Sequence, residues 1–490
     1  MEDDGDDMQL YSARKPEQDS SPTTPAEEPA FERQHSHKDI RQKQAAEDLN
    51  MMRRTSSMNS APTQRMMDSQ LDHAKILSSS KNPIIRLCLT GGPCAGKTTA
   101  LTSLAQKLTE KGYLVLQVPE AATMLMKGGA MIQTHKLSFS DAVKFQINVM
   151  RTQMVLEDTF IEIALNHDKE ISGDEDRCAA HRGTVLLCDR GVMDGSAYTD
   201  PNVWQALLDE TGWSTIQLRD RRYEAVLHMV TAADGAPEFY TGLNNEARYE
   251  NVEEACALDK KLINAWVGHP QFQIVDNKSS QSFDAKIDRT LAAVYKMIGL
   301  PSNQQHSKKF LLVTLPQQFD IMTPKNTKKE VFTVEETYLH DTSDRIEAFI
   351  QKVGKNDSFV YSYENRSYQN KQRILRKRQI SAREYIESMD QRKKTSKDIK
   401  KFRQCFIYEG QYYIVETFLN VDQQPSLLRL ETSHDQEQTT MPKFLKVLRE
   451  VTMDEEYSRN ELCKSGWKMP GSDKKNMSEA QAQLLKEMQA

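Results

Sequence analysis

One stretch, IIRLCLTGGPCAGKTTAL at Ile84–Leu101, limits the possible folds more than any other part of the chain. An apolar run leads into Gly91-x-x-x-x-Gly96-Lys97-Thr98, and a helix-forming segment follows. A glycine-rich loop between a strand and a helix is the context in which this pattern holds phosphate. Glycine lets the backbone N–H groups turn inward, and the helix N-terminus adds positive potential. Gly91, Gly92, Pro93, Cys94, Ala95, Gly96, Lys97, Thr98 and Thr99 are therefore expected to bind a nucleotide. Lys97 would reach the β- and γ-phosphates, Thr98 would ligate Mg²⁺, and Thr99 would add a hydroxyl at the α-phosphate.

The surroundings repeat that alternation. Ile84–Thr90, Tyr113–Val118, Thr184–Cys188, Ala225–Val230 and Gln271–Val275 read as strands, with helical stretches such as Lys97–Glu110 and Ser140–Asn166 between them. The order predicts an α/β P-loop NTPase domain over 81–302, a parallel sheet with helices on both faces. His167–Gly183, polar and charged, reads as a surface insertion. After Pro301 the texture changes to short aromatic and β-branched runs, which predict an antiparallel β domain over 303–470. IEAFIQKV, SAREYIESM and FLKVLREV read as short helices packed against it. Residues 1–80, poor in aliphatic clusters, read as a disordered tail, and 471–490 as a polar end. In the tail, Arg53 and Arg54 precede Ser56 and Ser57, a pattern open to a basophilic kinase or to plain solvated sequence.

A nucleotide site needs more than its loop. Asp189 ends the apolar run VLLCD, where a carboxylate can hold Mg²⁺ opposite Thr98 or simply cap the next turn. Arg190 beside it can steady a transferring phosphoryl group or lie at the surface. Glu120, just past the second strand, sits where small-molecule kinases face their acceptor; the helix dipole favours a Glu there as well. Among Arg219, Arg221, Arg222 and Arg248, the candidates for closing over phosphates are Arg221 and Arg248, and TAADGAPEFYTGLNNEARYE reads as a lid or substrate loop. A Ras-like GTPase would show D-x-x-G and N-K-x-D. Here Arg-Gly-Val follows Asp189, and Ser280 stands where the final Asp belongs, so Asn277 and Lys278 are base-loop candidates without proving guanine. The expected ligand is Mg²⁺ with GTP or ATP.

Lys371 to Arg403 carries thirteen basic residues against four acidic ones, so this stretch is locally a cation source in a chain of net charge −5. Alternation along QRILRKRQI sends Arg376 and Arg378 to one strand face and Lys377 to the other. Arg373, Arg376, Lys377, Arg378, Lys393 and Lys394 are candidates for an anion or phosphoinositide-headgroup cradle, or for a charge-protected edge. Phe359, Tyr361, Tyr363 and Tyr368 read as core, so nucleic acid is not an expected partner. The seven cysteines form no C-x-x-C pair and read as small residues in a reducing compartment. The MEDDGDD start is unlike a secretory leader, and a cytoplasmic chain, peripheral on membranes at most, is expected.

GGPCAGKTT, PEAA and CDRG resemble the P-loop domain shared by ribosylnicotinamide kinases and the TRPL translocation defect protein 14 family. The arrangement of tail, P-loop domain and β domain resembles the latter family along most of the chain. The resemblance implies a CYTH-like α+β second domain, with RILRKR as its basic strand and Glu416 as an acidic strand position. It further implies a nucleotide-dependent trafficking factor for a TRPL-type photoreceptor channel, with channel cargo or trafficking machinery as partner. The E-x-E-x-K opening of tunnel triphosphatases is missing, since Glu335 and Glu336 are adjacent and must face opposite ways. A small-molecule, nucleoside-like kinase is the other function these residues allow.

Overall fold

The computed structural model describes residues 82–470 apart from 131–136, 241–250, 278–281, 303–305, 314–326, 341–345, 356–357, 370–371 and 433–439. The expected tail 1–80 with Ser56 and Ser57, Arg248, Lys278 and the end 471–490 lie outside the described residues.

Five strands form a parallel sheet in the order β2-β3-β1-β4-β5. They are β1 (Ile84–Gly91), β2 (Leu114–Val118), β3 (Thr184–Asp189), β4 (Ala225–Met229) and β5 (Phe272–Val275). The helices among them are α1 (Lys97–Thr109), α2 (Ala121–Lys127), α3 (Phe139–Ile171), α4 (Glu175–Ala180), α5 (Gly195–Tyr198), α6 (Pro201–Thr211), α7 (Val252–Ala265) and α8 (Phe283–Met297). Side chains alternate across each strand. Leu87 and Leu89 of β1 therefore enter one core with Leu101, Leu104, Ile287 and Val294 from α1 and α8. Cys88, of opposite parity, lies toward Trp266 just beyond α7. The central position of β1, flanked by β3 and β4, brings the carboxyl ends of three strands to the phosphate loop.

The region read as a surface insertion is mostly exposed, and the structure makes much of it helical. α3 runs five residues beyond Asn166 to Ile171, α4 follows, and His181 packs with its side chain only 7% exposed. The continuing apolar face of α3, with Ile161, Ala164 and Ile171 buried, carries the helix through its polar end.

Nine strands form the second sheet, in the order β10-β9-β8-β7-β11-β12-β13-β6-β14. They are β6 (His306–Leu312), β7 (Lys329–Tyr338), β8 (Ile346–Lys355), β9 (Ser358–Gln369), β10 (Gln372–Ile380), β11 (Ile399–Tyr408), β12 (Gln411–Phe418), β13 (Ser426–Thr432) and β14 (Val447–Glu450). All its pairings are antiparallel. Of the three short helices expected, SAREYIESM supplies α9 (Ala382–Ser388), and α10 (Arg459–Leu462) lies further on. IEAFIQKV and FLKVLREV are strands, β8 and the edge strand β14. In both, apolar residues recur at i, i+3, i+4 and i+7, as in Ile346, Phe349, Ile350 and Val353, which is helical spacing. Pairing of β8 on both sides, with β7 and β9, overrides that local signal.

The two sheets meet through named bonds. Arg221 donates to the Phe359 carbonyl, and Gln379 donates to the Asp220 carbonyl. The Tyr412 hydroxyl accepts from the Gly268 amide and donates to the His269 carbonyl. No described helix is long and apolar enough to cross a membrane.

Candidate nucleotide site

The phosphate loop is held from behind by side chains that the sequence reading did not single out. Asp259 on α7 accepts from the Gly92 amide at 2.8 Å, the Thr231 amide at 3.2 Å and His228 Nε2 at 3.1 Å. Burial works against the Asp259 carboxylate, but His228 and the two amides outweigh it and hold its pKa below the ordinary value. Thr231 Oγ1 donates to the Pro93 carbonyl, and Lys286 on α8 donates to the Ala95 and Val230 carbonyls. There is no room for a side chain at the first two glycines. A Cβ on Gly91 would lie 2.2 Å from the Met229 carbonyl oxygen, and one on Gly92 2.4 Å from Asp259 Oδ1.

Gly96, at φ 88°, turns the loop into α1 and provides no side-chain cap, and the first turn of α1 has no acidic residue. The first amides of a helix have no intrahelical partner, so this uncapped end is open to an anion. Thr98 and Thr99 are exposed there. Lys97 folds back, with Nζ 3.1 Å from the Gly91 carbonyl oxygen and 3.4 Å from that of Gly92. Burial first, and then the Arg190 charge, pull its pKa down to about 8, against the opposing pull of Asp189 and Glu120.

Four further charged groups converge on Lys97. Asp189 ends β3 in register with Leu89, beside the loop. Its Oδ1 is buried without a hydrogen-bond partner, and burial raises its pKa. Arg190 occupies the left-handed region at φ 65°, which is costly for a residue with a Cβ. That turn aims its guanidinium at Glu120 Oε1, 3.0 Å away, and at Asp194 Oδ2, 3.6 Å away. Burial opposes the Arg190 charge, but Tyr198, Glu120 and Asp194 outweigh it and the group stays cationic. Glu120 Oε2 also accepts from Thr123 Oγ1 at 2.8 Å, so the carboxylate is fixed from two sides. Asp194 Oδ1 accepts from Thr90 Oγ1 at 2.8 Å and Trp266 Nε1 at 2.6 Å, anchoring the cluster to β1. Asp194 was not foreseen; its only sequence signal is an acid five residues after the strand-end Asp189.

Two other candidates are placed elsewhere. Arg221, read as closing over phosphates, donates at 3.0 and 2.6 Å to the Phe359 carbonyl at the contact with the second sheet. Its position is set by the 216–222 turn, whose Arg219 pairs with Asp220 and whose Arg222 pairs with Glu157 and Asp158. Asn277 is buried, and its amide donates to the Thr231 and Asp234 carbonyls at 2.7 Å each, bracing the loop after β4. Both of its N–H donors are used in that brace.

The basic strand β10 divides as its alternation requires. Lys377 points inward, 3.2 Å from Glu364, and Arg378 pairs with Glu384 of α9. Arg376 lines a cavity of about 810 Å³ with Arg182, Tyr113 and Gly299. Lys377 and Arg378 also border that cavity, each with a carboxylate partner of its own in Glu364 and Glu384. Arg373 is in β10. Lys393 donates its backbone amide to Tyr338, and Lys394 is exposed in the following turn.

Inside the antiparallel sheet, charges face one another. Lys401 Nζ lies 2.7 Å from Glu336 and 3.0 Å from Glu416; Arg403 is 2.8 Å from Glu416. Arg459 of α10 reaches Glu336 at 3.5 Å and Glu364 at 3.7 Å. Glu335 faces the other way and pairs with Lys352.

Residues 86–282 match the family described as the AAA domain. This part of the chain is similar to an AAA-type P-loop domain. No curated protein matches the chain. Among solved structures, the inorganic triphosphatase NE1496 is similar at 18% identity and TM-score 0.24, over 34% of this chain and 97% of that one. The PH1819 protein from Pyrococcus horikoshii OT3 is similar at 13% identity and TM-score 0.21, over 28% and 80%. At such scores these likenesses carry no argument about mechanism.

Proposed function

We propose that the chain binds Mg²⁺ with a purine nucleoside triphosphate, GTP or ATP, on the loop Gly91–Thr99. The observation that carries this is the uncapped N-terminus of α1, which begins at Lys97, together with the Asp189 Oδ1 buried without a partner. The Asp189 Oδ1, buried without a donor, and the hydroxyl of the exposed Thr98 are oxygen donors of the kind that suits Mg²⁺, so the residues fit the ion. When bound, Mg²⁺ would neutralise charge on the β- and γ-phosphates. Asp189→Ala is expected to remove the Mg²⁺ dependence of nucleotide affinity while leaving the metal-free affinity near wild type. Calorimetric titration with and without Mg²⁺ reads both numbers; an unchanged Mg²⁺ effect would assign the ion elsewhere.

Phosphoryl transfer to a small nucleoside-like acceptor is the second reading, favoured by the Glu120–Arg190 pair at 3.0 Å. Glu120 would orient the acceptor hydroxyl and take its proton, while Arg190 meets charge developing on the transferred group. Glu120→Gln is expected to lower turnover at least about 100-fold with nucleotide affinity retained. A panel of nucleoside acceptors scored for nucleoside diphosphate release tests this. No release above that of Lys97→Ala for any acceptor leaves nucleotide binding as the activity.

We further propose that the sheet from β6 to β14 is CYTH-like, supported by the charged groups of β7, β10, β11 and β12 sharing one interior. That interior does not fit a catalytic metal, because Glu336, Glu364 and Glu416 are each engaged by Lys or Arg. A trafficking role, with a phosphorylated headgroup as second ligand, draws its support from the resemblance and from Arg182 and Arg376 at the cavity. Flotation with phosphoinositide vesicles is expected to drop severalfold in Arg376→Ala, and equal flotation would remove the headgroup from this reading.

A further inference from the structure

We propose that His167, Asp168 and His181 form a zinc site that ties the end of α3 to the segment entering β3. His167 and Asp168 lie in the last turns of α3, and His181 is the residue after α4, three positions before β3 begins. One ring nitrogen of each histidine and one carboxylate oxygen of Asp168 all lie within 4.8 Å of one another. His181 Nε2 is 3.2 Å from Asp168 Oδ1, and the two side chains are 7% and 8% exposed.

That separation suits coordination. Bonds of about 2.0–2.1 Å in a tetrahedron give ligand-to-ligand edges of roughly 3.3 Å. Beside the contact of His181 with Asp168, His167 Nδ1 is buried without a hydrogen-bond partner. An imidazole nitrogen left in this way costs free energy that a cation shared with His181 and Asp168 would recover. The rings, 5.2 Å apart and tilted by 59°, are not stacked, so ring packing does not account for their approach. Asn82 Nδ2 lies 3.5 Å from the same Asp168 Oδ1, where it can set the carboxylate's orientation.

Two imidazoles and one carboxylate select zinc over Mg²⁺ or Ca²⁺, which prefer oxygen-only shells. Three protein ligands leave the fourth position to water. The site stands at the beginning of β3, whereas Asp189 ends that strand at the nucleotide loop. It is therefore a staple between secondary-structure elements and not part of the phosphate machinery.

The test uses the full chain, stripped by a chelator and titrated with Zn²⁺ against a chromogenic indicator in excess Mg²⁺. One zinc per chain is expected, bound at least about 100-fold more weakly by the His167→Gln/His181→Gln double variant. Nucleotide affinity should be the same in both proteins. Co²⁺ in place of zinc should give tetrahedral visible bands without a thiolate charge-transfer band. Absence of stoichiometric zinc, undiminished binding by the double variant, or a thiolate band pointing to a cysteine would each overturn the site. Should the double variant melt differently from wild type in chelator, Asp168→Asn alone is read in the same titration, with unchanged zinc affinity counting against the proposal.

Discussion

Lys97→Ala is expected to weaken Mg-nucleotide affinity about 100-fold, equivalent to about 2.7 kcal/mol, with little change in melting temperature. The direction follows from the local geometry. Lys97 Nζ is the cation inside the loop, held at the Gly91 and Gly92 carbonyls with its pKa drawn down to about 8 by burial and by Arg190. Phosphate oxygens would replace those carbonyl contacts with charge-assisted ones and restore the full charge. The free loop depends little on the ammonium, because Asp259, Thr231 and Lys286 hold its backbone independently. Lys97→Arg should not rescue binding, since a planar guanidinium does not reproduce a compact ammonium in so closed a turn. Calorimetry with GTP and ATP on the three proteins checks the claim, and affinity retained in Lys97→Ala would displace the loop as the nucleotide site.

Glu416→Gln is expected to cost about 3–5 kcal/mol of stability, the largest effect foreseen outside the loop. Glu416 holds both Lys401 and Arg403, all three buried, so losing its charge takes the carboxylate from Arg403 and leaves Lys401 to Glu336 alone. Urea unfolding followed by tryptophan fluorescence reads this, with an unchanged midpoint as the contrary result. The same network predicts an acid limit. Burial acts to raise the pKa of Glu336 and Glu416, but Arg459 and Lys401 at the first, and Lys401 and Arg403 at the second, hold both below the ordinary value. A carboxylate depressed in the folded state stabilises fully above its unfolded pKa, about 4.3, and that contribution is lost as pH falls toward the folded value. Stability should therefore decline below about pH 4.3, with a shallower slope in Glu416→Gln, as an acid titration of the urea midpoint would show.

The stretches that could be read from sequence were those where local chemistry and tertiary pairing agree. GGPCAGKTT announced its loop because glycine, lysine and threonine at that spacing suit few other purposes. The five parallel strands were located within a residue or two because each is a continuous apolar run bounded by polar sequence. IEAFIQKV and FLKVLREV failed for the opposite reason. Their helical periodicity is real, and only the neighbouring strands decide against it.

Site membership divided in the same way. Asp189 and Glu120 could be proposed because strand ends mark the ligand edge of a parallel sheet. Asp194, Asp259 and Lys286 could not, since an acid or a lysine within a helical stretch carries no sign of the distant carbonyl or amide it will meet. Arg221 shows the converse: a plausible phosphate cation by composition, it is turned by the 216–222 segment toward Phe359. His167, Asp168 and His181 lie within fifteen residues of one another yet read as solvated sequence, because α3 had to continue and then turn back to bring their atoms together. By itself the sequence determined the phosphate loop, the order of strand and helix, and the alternation that separates Lys377 from Arg376. Only the tertiary structure decided which buried charges meet, because long-range pairing sets the partner of a side chain while local spacing sets no more than its direction.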